Sequence, residues 1–245
     1  MTPTIVARGD AQAAIVERML GRACAGTGAR IFCDQVATES APERPSGLPD
    51  GTAYVTFPRL ELGFLWPFSA PNPYDAEGDL GGLRFPYGDA FVIASLRNGY
   101  SSEAILASCF GIGWSDTWPD LEDGYARERA RILALDARCD VKAAPFVLER
   151  FRTQPLFAAL DAPRHETLRA IVERIAEAAG IAAAPVEPLP DDALAAIEVP
   201  IHPTVAEHFG LTWYDRDARY RNGRNALTYA QYFERMVAIG QMSRE

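Results

Sequence analysis

Lysine is almost absent from this 245-residue chain. Lys142 is the one lysine among 24 basic residues, which leaves 23 arginines against 33 acidic residues and a net charge of -9. So acidic a chain is unsuited to coating nucleic acid or an anionic membrane, because polyanionic surfaces require a basic face. Cysteine is sparse as well. Cys24, Cys33, Cys109 and Cys139 form no C-x-x-C pair and stand near no histidine pair, so neither a zinc site nor a disulfide framework is expected. His165, His202 and His208 are the three histidines, none at metal-ligand spacing, and no metal is expected. Long apolar runs are missing too. None approaches the roughly 18–20 residues of a membrane-spanning helix, and residues 1–10 lack the basic start and apolar core of a secretory leader. A cytoplasmic protein with no membrane span is the expectation.

What is present suits a folded protein: 48% of residues are hydrophobic and 23% charged, enough for a full core. Residues 4–7 make a short apolar run that stops at Arg8-Gly9-Asp10, and residues 11–25 then carry Ala11, Ile15, Met19, Leu20 and Ala23 at helical spacing. A second strand over 29–33 completes a βαβ unit, and 52–57 reads as a third strand. Helices are predicted over 89–98, 101–110, 121–139, 141–152, 165–179 and 228–240, with a proline-interrupted connector over 182–192. The fold class that follows is α/β: a layered fold with a short, mainly parallel sheet, an N-terminal βαβ unit and a helix-rich C-terminal half. The expected organisation is one α/β domain over 1–212 with a helical extension over 213–245 packed on it.

The corner where the first strand meets the first helix is the natural place for chemistry, since free backbone N–H groups and the helix dipole converge there. Gly9-Asp10-Ala11-Gln12 fills it, too glycine-poor for a dinucleotide fingerprint or a P-loop. Asp10 suits two roles there, a helix N-cap or a member of an anion site. His202, between Ile201 and Pro203, lies in a non-helical segment where an imidazole can point inward to a pocket, and His165, two residues after Pro163, is either a pocket base or an exposed cap neighbour. The arginine excess has two readings, genome codon usage or bidentate binding of phosphate. On the second, Arg59, Arg84, Arg97 and Arg164 are the candidates. Phe57, Phe64, Trp66, Phe68 and Tyr74, interrupted by prolines, form either a loop tucked into the core or a lid and sugar platform hinged at 78–82.

The G-x-x-Q turn after a short strand resembles the start of the WcbI-like family of polysaccharide-biosynthesis acyltransferases, and further segments resemble that family in order. These are Phe57-Pro58-Arg59 with Trp66-Pro67, Phe85-Pro86-Tyr87-Gly88-Asp89 with Gly99-Tyr100-Ser101-Ser102-Glu103, Leu156-Phe157 leading to Asp161-Ala162-Pro163, and Val199-Pro200-Ile201-His202-Pro203-Thr204-Val205-Ala206. The resemblance spans residues 4–212. It implies an α/β protein that binds coenzyme A or acyl-CoA and moves an acyl (acetyl) group to a sugar or small-metabolite hydroxyl. The partners implied are a saccharide or small-molecule acceptor and, in an assembly, further copies of the chain.

Two departures matter. The family's turn carries a cysteine where this chain has Ala11, and a histidine precedes the proline where this chain has Ala162. Thiol and imidazole are the pair that covalent acyl transfer requires. Without them, transfer is direct attack of the acceptor hydroxyl on a bound thioester. Asp10, Asp89, Asp161, His165 and His202 are then the available bases, and the Gln12 amide and first-turn N–H groups face the oxyanion. The catalytic candidates are therefore Asp10, Gln12, Asp89 and His202, and the coenzyme-binding ones Gly9, Arg59, Arg84, Arg97, Arg164 and His165. The alternative is a non-catalytic ligand-binding or assembly protein that keeps the fold. An esterase-type hydrolase is disfavoured because the turn has no serine.

Overall fold

The computed structural model describes residues 2–38, 42–75, 82–110, 119–186 and 196–243. Its first three strands, β1 (Thr4–Arg8), β2 (Arg30–Val36) and β3 (Ala53–Pro58), are all parallel and paired in the order β1-β2-β3. The helices among the described residues are α1 (Ala11–Ala23), α2 (Ala90–Arg97), α3 (Ser102–Phe110), α4 (Leu121–Asp136), α5 (Ala144–Arg150), α6 (His165–Ala178), α7 (Pro203–Phe209) and α8 (Tyr229–Met242). The chain thus has the mixed α/β architecture with a short parallel sheet that its opening unit implies.

Helix α1 crosses between β1 and β2 because Ile15, Val16, Met19, Leu20 and Ala23 recur on one face and bury together. That buried stripe begins at Gln12. Ala11, which the spacing places on the stripe, is exposed as the first residue of the helix. Helix α6 buries Leu168, Ile171, Val172 and Ile175 in the same core, where Phe64 meets Phe151 and Phe209 edge-on at 5.1 and 4.9 Å. Such ring pairs contribute about 0.5–1.5 kcal/mol each beyond their area. Phe57 and Trp66 join this core, so the aromatic segment is tucked in by its rings.

A second core lies apart from the sheet. Phe85, Val92 and Leu96 of the α2 region and Ile105 of α3 close on Leu227, Tyr232, Met236 and Val237. Gly240 lets α8 approach α2, since a Cβ there would fall 2.3 Å from Leu96 Cδ1.

Three hairpins escape the sequence reading: β4 (Ser69–Pro71) with β5 (Tyr87–Asp89), β6 (Phe157–Ala159) with β7 (Ala162–Pro163), and β8 (Tyr220–Asn222) with β9 (Asn225–Leu227). Strands of two or three residues show no alternation from which to read them. Helix α7 also went unread, although Pro203 at its first position and left-handed Gly210 (φ +62°) after its last are standard end signals. The expected hinge over 78–82 and connector over 182–192 fall largely outside the described residues.

Candidate functional site

The first turn is a closed structural joint. Gln12 is 2% exposed and uses its whole amide. Its Nε2 donates to the carbonyls of Leu60 (2.8 Å) and Asp161 (2.9 Å), while its Oε1 accepts from Leu60 N–H (3.0 Å) and Gln35 Nε2 (3.1 Å). No amide hydrogen remains for an oxyanion, which corrects the catalytic part expected of Gln12; its work is to clamp the strand exits to the β6–β7 turn. Gly9 is required by proximity. A Cβ on it would fall 2.4 Å from Gln35 Oε1 and 2.8 Å from Ala13 Cβ, with φ at +156°. Gly9→Ala should therefore cost roughly 2 kcal/mol through overpacking, read as a lower urea midpoint at unchanged slope.

Around this joint sits an acid-rich cluster. Asp10 caps α1, its Oδ1 accepting from Gln12 N–H at 2.8 Å, and its Oδ2 lies 3.1 Å from Arg59 Nε. Arg59 also faces Glu61 at 2.9 Å and Asp161 at 3.9 Å, so three carboxylates surround one guanidinium. The Tyr87 hydroxyl donates to Asp161 Oδ1 at 2.7 Å, and burial followed by that bond pushes the phenol up. Arg59 is thus over-neutralised where it stands, which corrects its expected phosphate-binding role.

Arg84 is held by Asp75 (Nη2 to Oδ2, 2.7 Å) and Arg164 by Glu198 (2.7 Å), so both guanidinium groups serve the scaffold. Arg97 is exposed in the last turn of α2, with no partner among the described residues. His165 opens α6, half-buried and beside the Arg164–Glu198 pair in sequence.

The structure does bring Asp89 and His202 together, along a narrow cleft of about 40 Å³ walled by Trp66, Phe68, Tyr87, Tyr232 and Met236. Asp89 ends β5 and caps α2, accepting from Val92 N–H at 3.0 Å. Burial nevertheless dominates those bonds and pushes its carboxyl up to about 6. His202 caps α7 instead of awaiting a proton: its Nδ1 accepts from Thr204 N–H at 3.1 Å, and the ring also bonds the Cys109 backbone. Burial lowers its basicity, so it stays neutral near pH 7 with its lone pair engaged. That removes His202 from the candidate bases and leaves it as cleft wall.

A second, larger cleft of about 370 Å³ opens on the far side of Trp66, Pro67 and Ser69, lined also by Arg127, Arg131, Asp120, Glu128 and Leu160. Arg131 lies 3.5 Å from Glu61, which places this cleft beside the Arg59 cluster. Trp66 is pinned between the two clefts by its Nε1–H bond to the Val199 carbonyl at 2.9 Å. Among the described residues, no group of His, Cys, Asp or Glu is arranged to hold a metal ion, and no helix is long and apolar enough to cross a membrane.

The profile of the family described as "Polysaccharide biosynthesis enzyme WcbI" matches residues 39–184. The chain belongs to the WcbI family. A solved WcbI structure, described as a novel polysaccharide biosynthesis enzyme in its native form without a disulfide between coenzyme A and a cysteine, superposes with a TM-score of 0.70. It is 15% identical, and the match covers 99% of this chain and 91% of that one, so the likeness is one of fold. No curated protein matches the sequence.

The two positions where the resemblance leads one to expect a cysteine and a histidine both stand beside the first-turn joint. Ala11 and Ala162 each adjoin a residue of the 2.9 Å Gln12–Asp161 hydrogen bond. Ala11 is exposed, whereas Ala162 is buried among Ala158, Ala159, Tyr87 and Val199. Neither group of a thiol–imidazole couple is present there. The remaining cysteines do not compensate. All four are buried, and burial raises each thiol, to about 12 for Cys33, Cys109 and Cys139. Native protein should therefore resist a thiol reagent until denatured, which a timed DTNB titration reads directly.

Sequence reasoning missed the cleft walls supplied by α8. Tyr232, Phe233 and Met236 lie on one helical face next to Tyr229, and that aromatic spacing was the available signal.

Proposed function

We propose that this WcbI-family protein binds a coenzyme A thioester and transfers its acyl group directly to a hydroxyl of a saccharide or related metabolite, without an acyl-enzyme. The observation that carries the reading is Asp89: a carboxylate raised to about 6, lining a cleft one wall away from a second, larger cleft. The coenzyme A named for the solved WcbI protein supports the thioester, and the larger cleft is the side assigned to it by its size; Arg127 pairs with Asp123 and Arg131 with Glu128 and Glu61, so a phosphate there has to displace those carboxylates.

In this scheme Asp89 takes the proton of the acceptor hydroxyl as its oxygen attacks the thioester carbonyl. The C–S bond then breaks, and the departing thiolate takes up the proton that Asp89 received, which returns the carboxylate to its starting state. A carboxylate lifted towards neutrality is a stronger base than an ordinary aspartate yet still ionised at pH 7. Four unpaired cysteines suit a reducing cytoplasm, where acyl-CoA is made.

Calorimetric titration with coenzyme A and acetyl-CoA tests the proposal, micromolar to submillimolar binding being expected; no heat at millimolar ligand would sink it. The methyl groups at positions 11 and 162 favour one other reading, a ligand-binding relative that has lost turnover. Thioester bound but never consumed, across a panel of sugar acceptors, would favour that reading.

A further inference from the structure

The parallel sheet has one face in the core and one turned outward. Strand alternation puts Thr4, Val6 and Arg8 of β1 and Arg30, Phe32 and Asp34 of β2 on the outer face, since Ile5, Ala7, Ile31 and Cys33 pack into the core that α1 covers. With Leu48 and Pro49 from the loop before β3, part of this face encloses a cavity of about 310 Å³. Val6, Phe32, Leu48 and Pro49 are its apolar walls, and Thr4 and Arg30 stand at its polar edge. Val6 is left 44% exposed although it is the middle residue of its strand. Arg30 sets the charge. Its Nη1 reaches the Asp50 carbonyl at 3.3 Å, and among the described residues no carboxylate lies within 4.0 Å of it. Asp34, on the same face, is already held by Arg8 and by the Tyr54 hydroxyl at 3.1 Å. Arg8, Arg59, Arg84 and Arg164 each face a carboxylate; Arg30 faces an apolar pocket instead.

We infer that this pocket is a further ligand site, which takes a small carboxylic acid with an apolar body, its chain or ring against Val6, Phe32, Leu48 and Pro49 and its carboxylate on Arg30. Apolar walls supply the contact area, and a guanidinium at the edge fixes the orientation, because its planar fork matches a carboxylate. A neutral analogue leaves the guanidinium to water, and a bare small anion leaves the walls uncovered. The pocket lies at the start of β1 and β2, whereas the first turn follows the end of β1, about 13 Å of strand away. It shares no lining residue with either cleft beside Trp66, so the inference stands apart from the transfer reading.

The experiment is ligand-observed NMR titration of the full chain. The probes are hexanoate and phenylacetate as apolar acids, hexanol and phenylacetamide as their neutral counterparts, and acetate as the charge without the body. At least one apolar acid should bind at submillimolar concentration, with its neutral counterpart and acetate weaker by about tenfold or more. Arg30→Gln should abolish that preference, weakening the acid about tenfold and leaving the neutral compound unchanged. Val6→Thr, which keeps the branched strand-forming shape, should weaken both members of the pair about threefold. Both side chains are exposed, so each variant should melt within about 2 °C of the native protein. Saturating coenzyme A should leave the bound acid in place. Equal binding of acid and neutral counterpart, no binding of either acid at millimolar concentration, an unchanged preference in Arg30→Gln, or displacement by coenzyme A would each overturn the inference. None of these results bears on acyl transfer, and failure of transfer leaves the binding preference intact.

Discussion

Asp89→Asn should lower acyl transfer by about 10²–10⁴-fold, the range a positioned general base supplies, with little change in thioester binding. Asparagine is as good a helix N-cap as aspartate, so α2 should keep its start and the loss should appear in kcat. The pH profile adds a signature that a purely structural role would not give. With the carboxyl at about 6, native activity should climb through that pH to a plateau, and residual activity of the variant should not titrate there. Stability should move the opposite way. A carboxyl raised above its ordinary 3.8 is most comfortable protonated, so its favourable contribution is complete below that value and is lost as pH rises through 6. At pH 8, Asp89→Asn should therefore melt at or above the native temperature, and at pH 4 the two should converge. A variant both less stable at pH 8 and fully active would contradict the assignment.

Gln12→Ala should produce the largest loss of stability of any change at the first turn, about 3 kcal/mol. The substitution strands the Leu60 N–H and carbonyl, the Asp161 carbonyl and the Gln35 amide, all of which meet on one side chain. For a protein of this size that is about 6–12 °C in melting temperature, measurable by calorimetry. Were Gln12 instead a catalytic donor with spare capacity, the same variant would fold normally and lose turnover.

The contrast between these two residues shows what the sequence could convey. The βαβ opening was legible because Ile15, Val16, Met19 and Leu20 carry a helical period between two short apolar runs, and α6 for the same reason. A conspicuous polar residue in a Gly-Asp-Ala-Gln turn, by contrast, looks the same in sequence whether its amide faces a ligand or the protein. Only the long-range partners Leu60, Gln35 and Asp161 decide, and they lie 23 to 149 positions away. Arginine posed the same problem. Arg59 and Arg164 read as free cations until folding sets carboxylates against them. Asp89 is one of the candidates the sequence offers, but its raised carboxyl follows from burial in a cleft whose far wall, α8, begins 140 positions later.

The aromatic and proline segment yields a more precise picture than either sequence-based alternative. Phe57, Phe64 and Trp66 are in the core, yet Trp66, Pro67 and Ser69 are also the partition shared by the two clefts. One stretch both closes the core and separates the Asp89 cleft from the cleft assigned to the thioester.

Release of coenzyme A from acetyl-CoA, followed with and without a neutral glycoside and paired with intact-protein mass, tests the central claim most directly. Direct transfer predicts release that depends on the glycoside, one acetylated sugar for each coenzyme A, and a protein mass that never gains an acetyl group. An acetylated protein, or release indifferent to the acceptor, would contradict it.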